Sequence, residues 1–439
     1  MAGDDTRSRI AHLFRRAGVG ARPDEVDAAV AAGYEATVDK LLAMTGPDAG
    51  AAGLAAPVFA ALPTSVPTDD NAKRAAQQAL RTTFRNEDRG LNQWWIDRMV
   101  LTSTPLRERL ALFWHGHFAT SIEKVKDPEL MFRQNEIFRN MGAGPFEALT
   151  QAVAKDPAML VWLDANENRK GSPNENFARE LLELFVLGIG NYTENDIKEG
   201  ARAFTGWQYR RQTGQFTLAP AQHDAGSKTV FGQTGNFAGE DVIRMAVAQP
   251  ASANYVTARL FSGFARPVKA DDPVVKDLAP AFGPNRDIGK LLRAMFLHPE
   301  FTAPASRTGL VKQPIEYVAG VLRALNLRAA AVGTGLTQVL DSLGQQPFAP
   351  PSVGGWPQNG YWLTTSFALA RLRFATTVVQ KAKIDSITSA AASDRPAAAA
   401  RLLSVDGWGP ATTAALSQAA GDPKTLLALA LVAPEYVLA

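Results

Sequence analysis

The sequence predicts a mainly α-helical protein, a multi-helix single large domain with a small β-hairpin insertion near 208–218. Two observations predict it. Helix starts of one design recur: a capping Thr or Asp precedes proline at Thr104-Pro105, Asp127-Pro128, Asp156-Pro157 and Asp272-Pro273. Such a pair satisfies an orphan backbone N–H and pre-sets the first helical φ. Apolar runs of period two are few, which argues against extensive sheet. Residues 1–380 read as a helical core, and 381–439 as an Ala-rich helical segment packed on it.

Taken in order, residues 6–44 hold two short amphipathic helices split at Gly18–Pro23. His12 lies in the first, beside Arg15 and Arg16, as a surface or packing residue. Residues 45–70, rich in Ala, Gly, Pro and Thr, read as a loop or poorly ordered connection. A long helix carries Trp94, Trp95 and Met99 from about Asn71 to Leu101. The Thr104-Pro105 helix runs to His115, where Gly116 is expected to end it.

The stretch Gly171–Trp207 reads as two helices about a Gly turn. Ser172 caps the first, Pro173 takes its first position, and Glu175 sits where a capping box needs a carboxylate. Phe177, Ala178, Leu181, Leu182, Leu184, Phe185 and Val186 cover most of its circumference. Asn176, Arg179, Glu180 and Glu183 share the remaining sector. Gly188 and Gly190 end it, and Thr193 with Asp196 caps the next helix.

A hairpin about Thr213-Gly214 follows, then a loop His223–Thr229 and a Gly-rich stretch. Helices resume from about Gly239 to 345. The run from Leu291 to Phe301, ending His298-Pro299-Glu300-Phe301, is echoed near the C-terminus by one ending Ala433-Pro434-Glu435-Tyr436. Gln345–Pro357 is too rich in proline for helix. It is either a strap across the bundle or, through Trp356, an aromatic rim to a pocket.

The totals bound the function. The 439 residues, 46% hydrophobic and 20% charged, are ordinary globular composition. A formal charge of +3 with no Lys/Arg run gives no case for nucleic acid. The absence of cysteine excludes disulfides, thiolate metal sites, c-type haem and a cysteine nucleophile. No apolar run reaches 18 residues, so no membrane-spanning helix is expected. The N-terminus lacks the apolar core of a secretory signal, so the chain reads as cytoplasmic as given, or exported if a leader was removed. There is no GxSxG elbow, and Gly226-Ser227-Lys228-Thr229 lacks the first glycine and the strand of a P-loop, so no P-loop nucleotide is expected.

Three stretches could carry chemistry. His115 and His117 could turn toward one point if Gly116 breaks the helix. Glu180 and Glu183 could project as a carboxylate pair, or form a surface stripe neutralised by Arg179. His223 and Asp224 could be ligands or an acid–base pair with Lys228 binding an anion, or a hydrogen-bonded loop clip with Lys228 solvated. Converged, they would make a His/carboxylate site for a divalent metal (Zn, Mn or Fe). His115, His117 and His223 would be its ligands.

Longer stretches carry a resemblance. They are HLFRRAGVGARPDE, PLRERLALFWHGHFATSIEKV, DPAMLVWLDANENRKGSPNENFARELLELFVLGIGNYTENDIKEGARAFTGW, HDAGSKTVFG and QQPFAPPSVGGWPQNGYWL. In these the chain resembles the bacterial family known as domain of unknown function 1800, from about His12 to Leu363. The resemblance implies little about activity. It implies that His115, His117, Asn174, Glu175, Asn176, Arg179, Glu180, Glu183, His223, Asp224 and Lys228 fall on family motifs. It also implies a sulfatase-like or phosphatase-like protein partner.

The functional expectation is a metal-dependent hydrolase acting on an anionic or polymeric substrate. Glu180, Glu183 and Asp224 would be its catalytic groups, and Arg179, Lys228, Asn176 and Trp356 would bind substrate. The alternative is a non-catalytic partner or carrier whose polar network is structural.

Overall fold

The cap-plus-proline pairs start helices where the sequence places them. Asp127, Asp156 and Asp272 each accept backbone N–H bonds from the turn they open. Thr104 opens its helix without a side-chain cap bond. The structure is a computed structural model, and it describes residues 2–44, 46–61, 68–210 and 214–438. The protein is mainly α, and two small antiparallel hairpins are its only sheets among the described residues.

The helices that matter below are α1 (Ala2–Arg16), α2 (Asp70–Leu101), α3 (Pro105–His117), α4 (Pro128–Met141), α5 (Asn176–Glu180), α6 (Glu194–Ala203), α7 (Pro250–Phe264), α8 (Pro314–Ala324), α9 (Thr365–Val379) and α10 (Pro423–Val432). The strands are β1 (Trp207–Arg210) paired with β2 (Gln215–Leu218), and β3 (Lys228–Val230) paired with β4 (Gln233–Gly235). One hydrophobic core runs through all of this, from Leu13 to Val437, and Trp95, Trp114 and Trp362 are fully buried in it. In α10, Leu426, Leu427 and Leu431 are buried in the same core, and the helix packs on α9.

Several expectations need correction. The region before residue 45 holds three helices, because the second is broken at Gly33 into Pro23–Ala32 and Tyr34–Leu42. His12 takes the packing alternative rather than the surface one: it is fully buried, and its Nε2 bonds the Phe301 carbonyl at 2.9 Å. The connection at 46–61 holds no helix, and 62–67 lie outside the described residues. The hairpin forms as expected, though Thr213 of its turn lies outside them. A second hairpin, β3–β4, stands where a loop was expected. Its turn residues Phe231 and Gly232 both take positive φ, and α6 anchors it through Asp196 to Phe231 N–H at 2.7 Å.

Gly116 does not end α3; the helix runs through it to His117. Nor do Ser172 and Pro173 open the central helix. Ser172 pairs with Arg169 in an isolated bridge, and helix begins only at Asn176. From Leu181 to Val186 the chain widens into a π-helix, with Leu187 N–H reaching Leu182 O at 3.1 Å. Two side chains take carbonyls near its end. Tyr255 hydroxyl bonds Leu184 O at 2.7 Å and His117 Nε2 bonds Phe185 O at 2.8 Å.

The proline-rich stretch is a strap with both its large aromatics buried. Phe348 and Trp356 lie under it, and Ile122 N–H donates to Phe348 O at 2.8 Å. At Gly355 the strap passes so close to α3 that a Cβ would sit 2.1 Å from the Gly116 carbonyl oxygen, and φ is +84°. The crossing requires glycine at 355; at 116 a Cβ would meet Trp356 at 3.5 Å, an ordinary contact.

Candidate functional site

Among the described residues, those singled out from sequence form no group of three that could hold a metal ion. His115 and His117 sit two apart on a continuous helix, so their rings diverge. His115 is fully buried among Trp95, Phe138, Phe348 and Trp356, with neither ring nitrogen hydrogen-bonded. His117 stacks on Phe113 at 6.0 Å between ring centres and bonds the π-helix. Burial drives both imidazoles down to about 3, with Arg259 adding to the effect at His117.

His223 lies on a separate loop. Its Nδ1 donates to Thr205 O at 2.9 Å. Asp224 accepts from Arg202 Nε at 2.8 Å and Gly226 N–H at 2.8 Å, and the Arg202 guanidinium holds its carboxyl down at about 2. Lys228 Nζ closes the loop on the carbonyls of Asp224 (2.6 Å) and Gly226 (3.0 Å), and it is buried rather than solvated. The loop is therefore a hydrogen-bonded clip.

On the central helix, Arg179 pairs with Glu175 and Glu194, each at 3.0 Å, and forms no ion pair with Glu180 or Glu183. Glu183 accepts from Tyr192 hydroxyl at 2.9 Å. Burial, then the neighbouring Glu183, raises Glu180 above the usual carboxylate range. Asn176 donates its N–H to Asn174 Oδ1 at 2.9 Å. Among the described residues no three His, Cys, Asp or Glu side chains are grouped so as to hold a metal ion.

The chemistry gathers elsewhere. A cavity of about 40 Å³ lies where α1, α3, α7, the start of α8 and the strap meet. Five cations line it: Arg15 and Arg16 from the end of α1, Arg109 from α3, Arg259 from α7, and Lys312 just before α8. Trp356, Gln358 and Asn359 of the strap form another wall. Of the residues predicted from sequence, only Trp356 is here.

Helix ends explain part of the placement. Arg15 and Arg16 occupy the last turn of α1, where the helix dipole favours positive charge. Lys312 is fixed by its own backbone, whose N–H bonds Val437 O at 2.9 Å beside a Val311–Leu438 bridge. Asn359 is fixed by Val311 N–H, which donates to its Oδ1 at 3.3 Å.

The charge is not balanced. Glu316 is the one carboxylate lining the cavity, and it is already used. It pairs with Arg109 at 2.9 Å and accepts Gln313 N–H at 3.0 Å as the capping box of α8. Arg15 bonds the Ser404 carbonyl at 2.5 Å, and its nearest carboxylate is Asp406, at 4.0 Å. Arg16 bonds the Ser306 carbonyl at 2.5 Å but meets no carboxylate within 4.0 Å, and the same holds for Arg259 and Lys312 among the described residues. Burial, then Arg15, pulls Arg16 well below its ordinary value. The Nε–H groups of Arg15, Arg16, Arg109 and Arg259 and the Trp356 indole N–H are all buried without partners. Every buried side-chain atom left unpartnered on the lining residues is a donor.

Comparison with known proteins adds one finding. The family described as "Protein of unknown function (DUF1800)" matches residues 12–438. The chain belongs to this family. No curated protein and no solved structure matches it. The DUF1800 match spans all five cations and the strap, so the cavity is built wholly within the family region. No helix among its described residues is long and apolar enough to cross a membrane.

Proposed function

We propose that this protein binds a small oxyanion, or the oxyanion end of a larger ligand, in the cationic cavity. One observation carries the reading: four arginines and a lysine converge there against one carboxylate that is already engaged. Uncompensated buried charge is expensive, and an anion is its natural counterpart. The unpartnered donors want an acceptor-only ligand, which describes phosphate, sulfate or carboxylate. The cavity's volume of about 40 Å³ suits one such group. A single water needs roughly 10–15 Å³ on the same measure.

This reading keeps the anionic ligand expected from sequence. It replaces the metal by guanidinium and ammonium groups, and it moves the site away from Glu180, Glu183 and Lys228. Glu316, the one carboxylate of the lining, already serves Arg109 and Gln313, and the activity proposed is binding.

Calorimetric titration with phosphate and with sulfate, at ionic strength held constant with chloride, tests it. Saturable binding near one anion per chain is expected, abolished in Arg259→Met. A ligand at about 100 times its Kd would stabilise the fold by about 2.7 kcal/mol. Absence of saturable binding, or equal binding by Arg259→Met, overturns the reading.

A further inference from the structure

Lys312 is the odd member of the cavity. Arginine keeps its charge almost anywhere, whereas a desolvated lysine gives its proton up. Lys312 is buried and forms no hydrogen bond among the described residues; the Tyr436 ring face, 3.4 Å from Nζ to its centre, favours the ammonium but does not replace lost water.

The groups facing it are mostly cationic. From α1 come Arg15 and Arg16, with His12 behind them bound to Phe301 O. From α3 comes Arg109 and from α7 Arg259. The segment ending at Val437 contributes Tyr436, whose buried hydroxyl is held protonated. One turn along its own segment stands Glu316, the sole opposing charge, committed to Arg109. Burial, then Arg15, depresses the amine well below its ordinary value; Glu316 opposes this and Arg16 adds to it.

Resting on the oxyanion reading above, we propose that Lys312 is uncharged in the empty cavity and takes up one proton from solvent when an oxyanion enters. The cavity then binds anion and proton together. The amine becomes an ammonium, the anion supplies the missing countercharge, and no covalent bond forms. The ligand class this favours is a strong-acid oxyanion such as sulfate or a sulfate or phosphate ester, which keeps its own charge and leaves the proton to the lysine.

Sulfate is the probe, because it does not titrate near neutral pH. Its binding heat is measured in buffers of different ionisation enthalpy from pH 6 to 9. The slope of heat against buffer enthalpy is expected to show close to one proton taken up, with affinity falling about tenfold per pH unit once Lys312 is neutral. Lys312→Arg, whose charge is fixed, is expected to bind sulfate with no proton uptake and no pH dependence. Sulfate binding by the parent without proton uptake, or with uptake unchanged in Lys312→Arg, overturns this inference and leaves the anion site standing. No sulfate binding by the parent removes both.

Discussion

The cationic cavity and the loop that carries His223, Asp224 and Lys228 use similar residues to opposite effect. In the loop each charge finds a partner close along the chain or on α6. Arg202 serves Glu199 and Asp224, and Lys228 Nζ serves two carbonyls. In the cavity the cations come from four separate segments, and three of the five meet no carboxylate among the described residues. Polar residues clustered in sequence tend to satisfy one another locally, which makes a clip. Polar residues gathered by the fold can be left unsatisfied, which leaves room for a ligand. In this molecule the imbalance of charge separates the two better than residue type does.

The comparison can be broken first inside the cavity. Arg109→Ala leaves Glu316 with its buried partner gone and removes the bond to Gly263 O. A loss of about 1.5–3 kcal/mol in urea unfolding is expected from the charged hydrogen bonds removed, while Glu316 still has Arg16 and Lys312 near it. Arg259→Met strands nothing, and it should stay within about 1 kcal/mol of the parent in the absence of anion. If both variants lost the same stability, the division between paired and unpaired cations would fail.

Next come the histidines behind the cavity wall. His115 and His117 titrate at about 3 in the folded protein, below their ordinary 6.5. Between those values the unfolded chain binds more protons, so their contribution is full above pH 6.5 and is lost as pH falls toward 3. Each should cost up to about 1.4 kcal/mol per pH unit in that window. His115→Leu should flatten the acid side of the stability profile; an unchanged slope would show the ring to be less buried than described.

The smallest effect belongs to the clip. Asp224→Asn weakens a partly exposed pair with Arg202 and should lower stability by about 1 kcal/mol or less. Its anion binding should match the parent's. A folded Asp224→Asn protein that no longer bound sulfate would put the loop back into the site and collapse the contrast.

How much of this was legible follows from where each signal lives. Caps such as Asp127, Asp156 and Thr193 act on backbone groups two or three residues away, so the sequence displays both partners. Gly116 was misread because its partner at the crossing, Gly355, stands far along the chain, and it is Gly355 that has no room for a Cβ. The π-helix was invisible for a similar reason: the side chains that take its carbonyls, His117 and Tyr255, belong to other helices. Trp356 was legible as an aromatic in a loop that could not be helix. The cations were not, since Arg109, Arg259 and Lys312 stand far apart with no run to mark them. Arg15-Arg16 offered the one local hint, two adjacent arginines closing a helix.

The strap crossing at Gly355 and the Lys312 backbone bond to Val437 bring distant parts of the chain to one small space. An anion held there by Arg16, Arg259 and Lys312 would act as a knot in the chain's topology. It would close several very long loops at once, much as a cross-link does. The stabilisation it brings should then spread over the whole molecule as a single cooperative gain, and slowed amide exchange on loading should reach helices that never touch the ion.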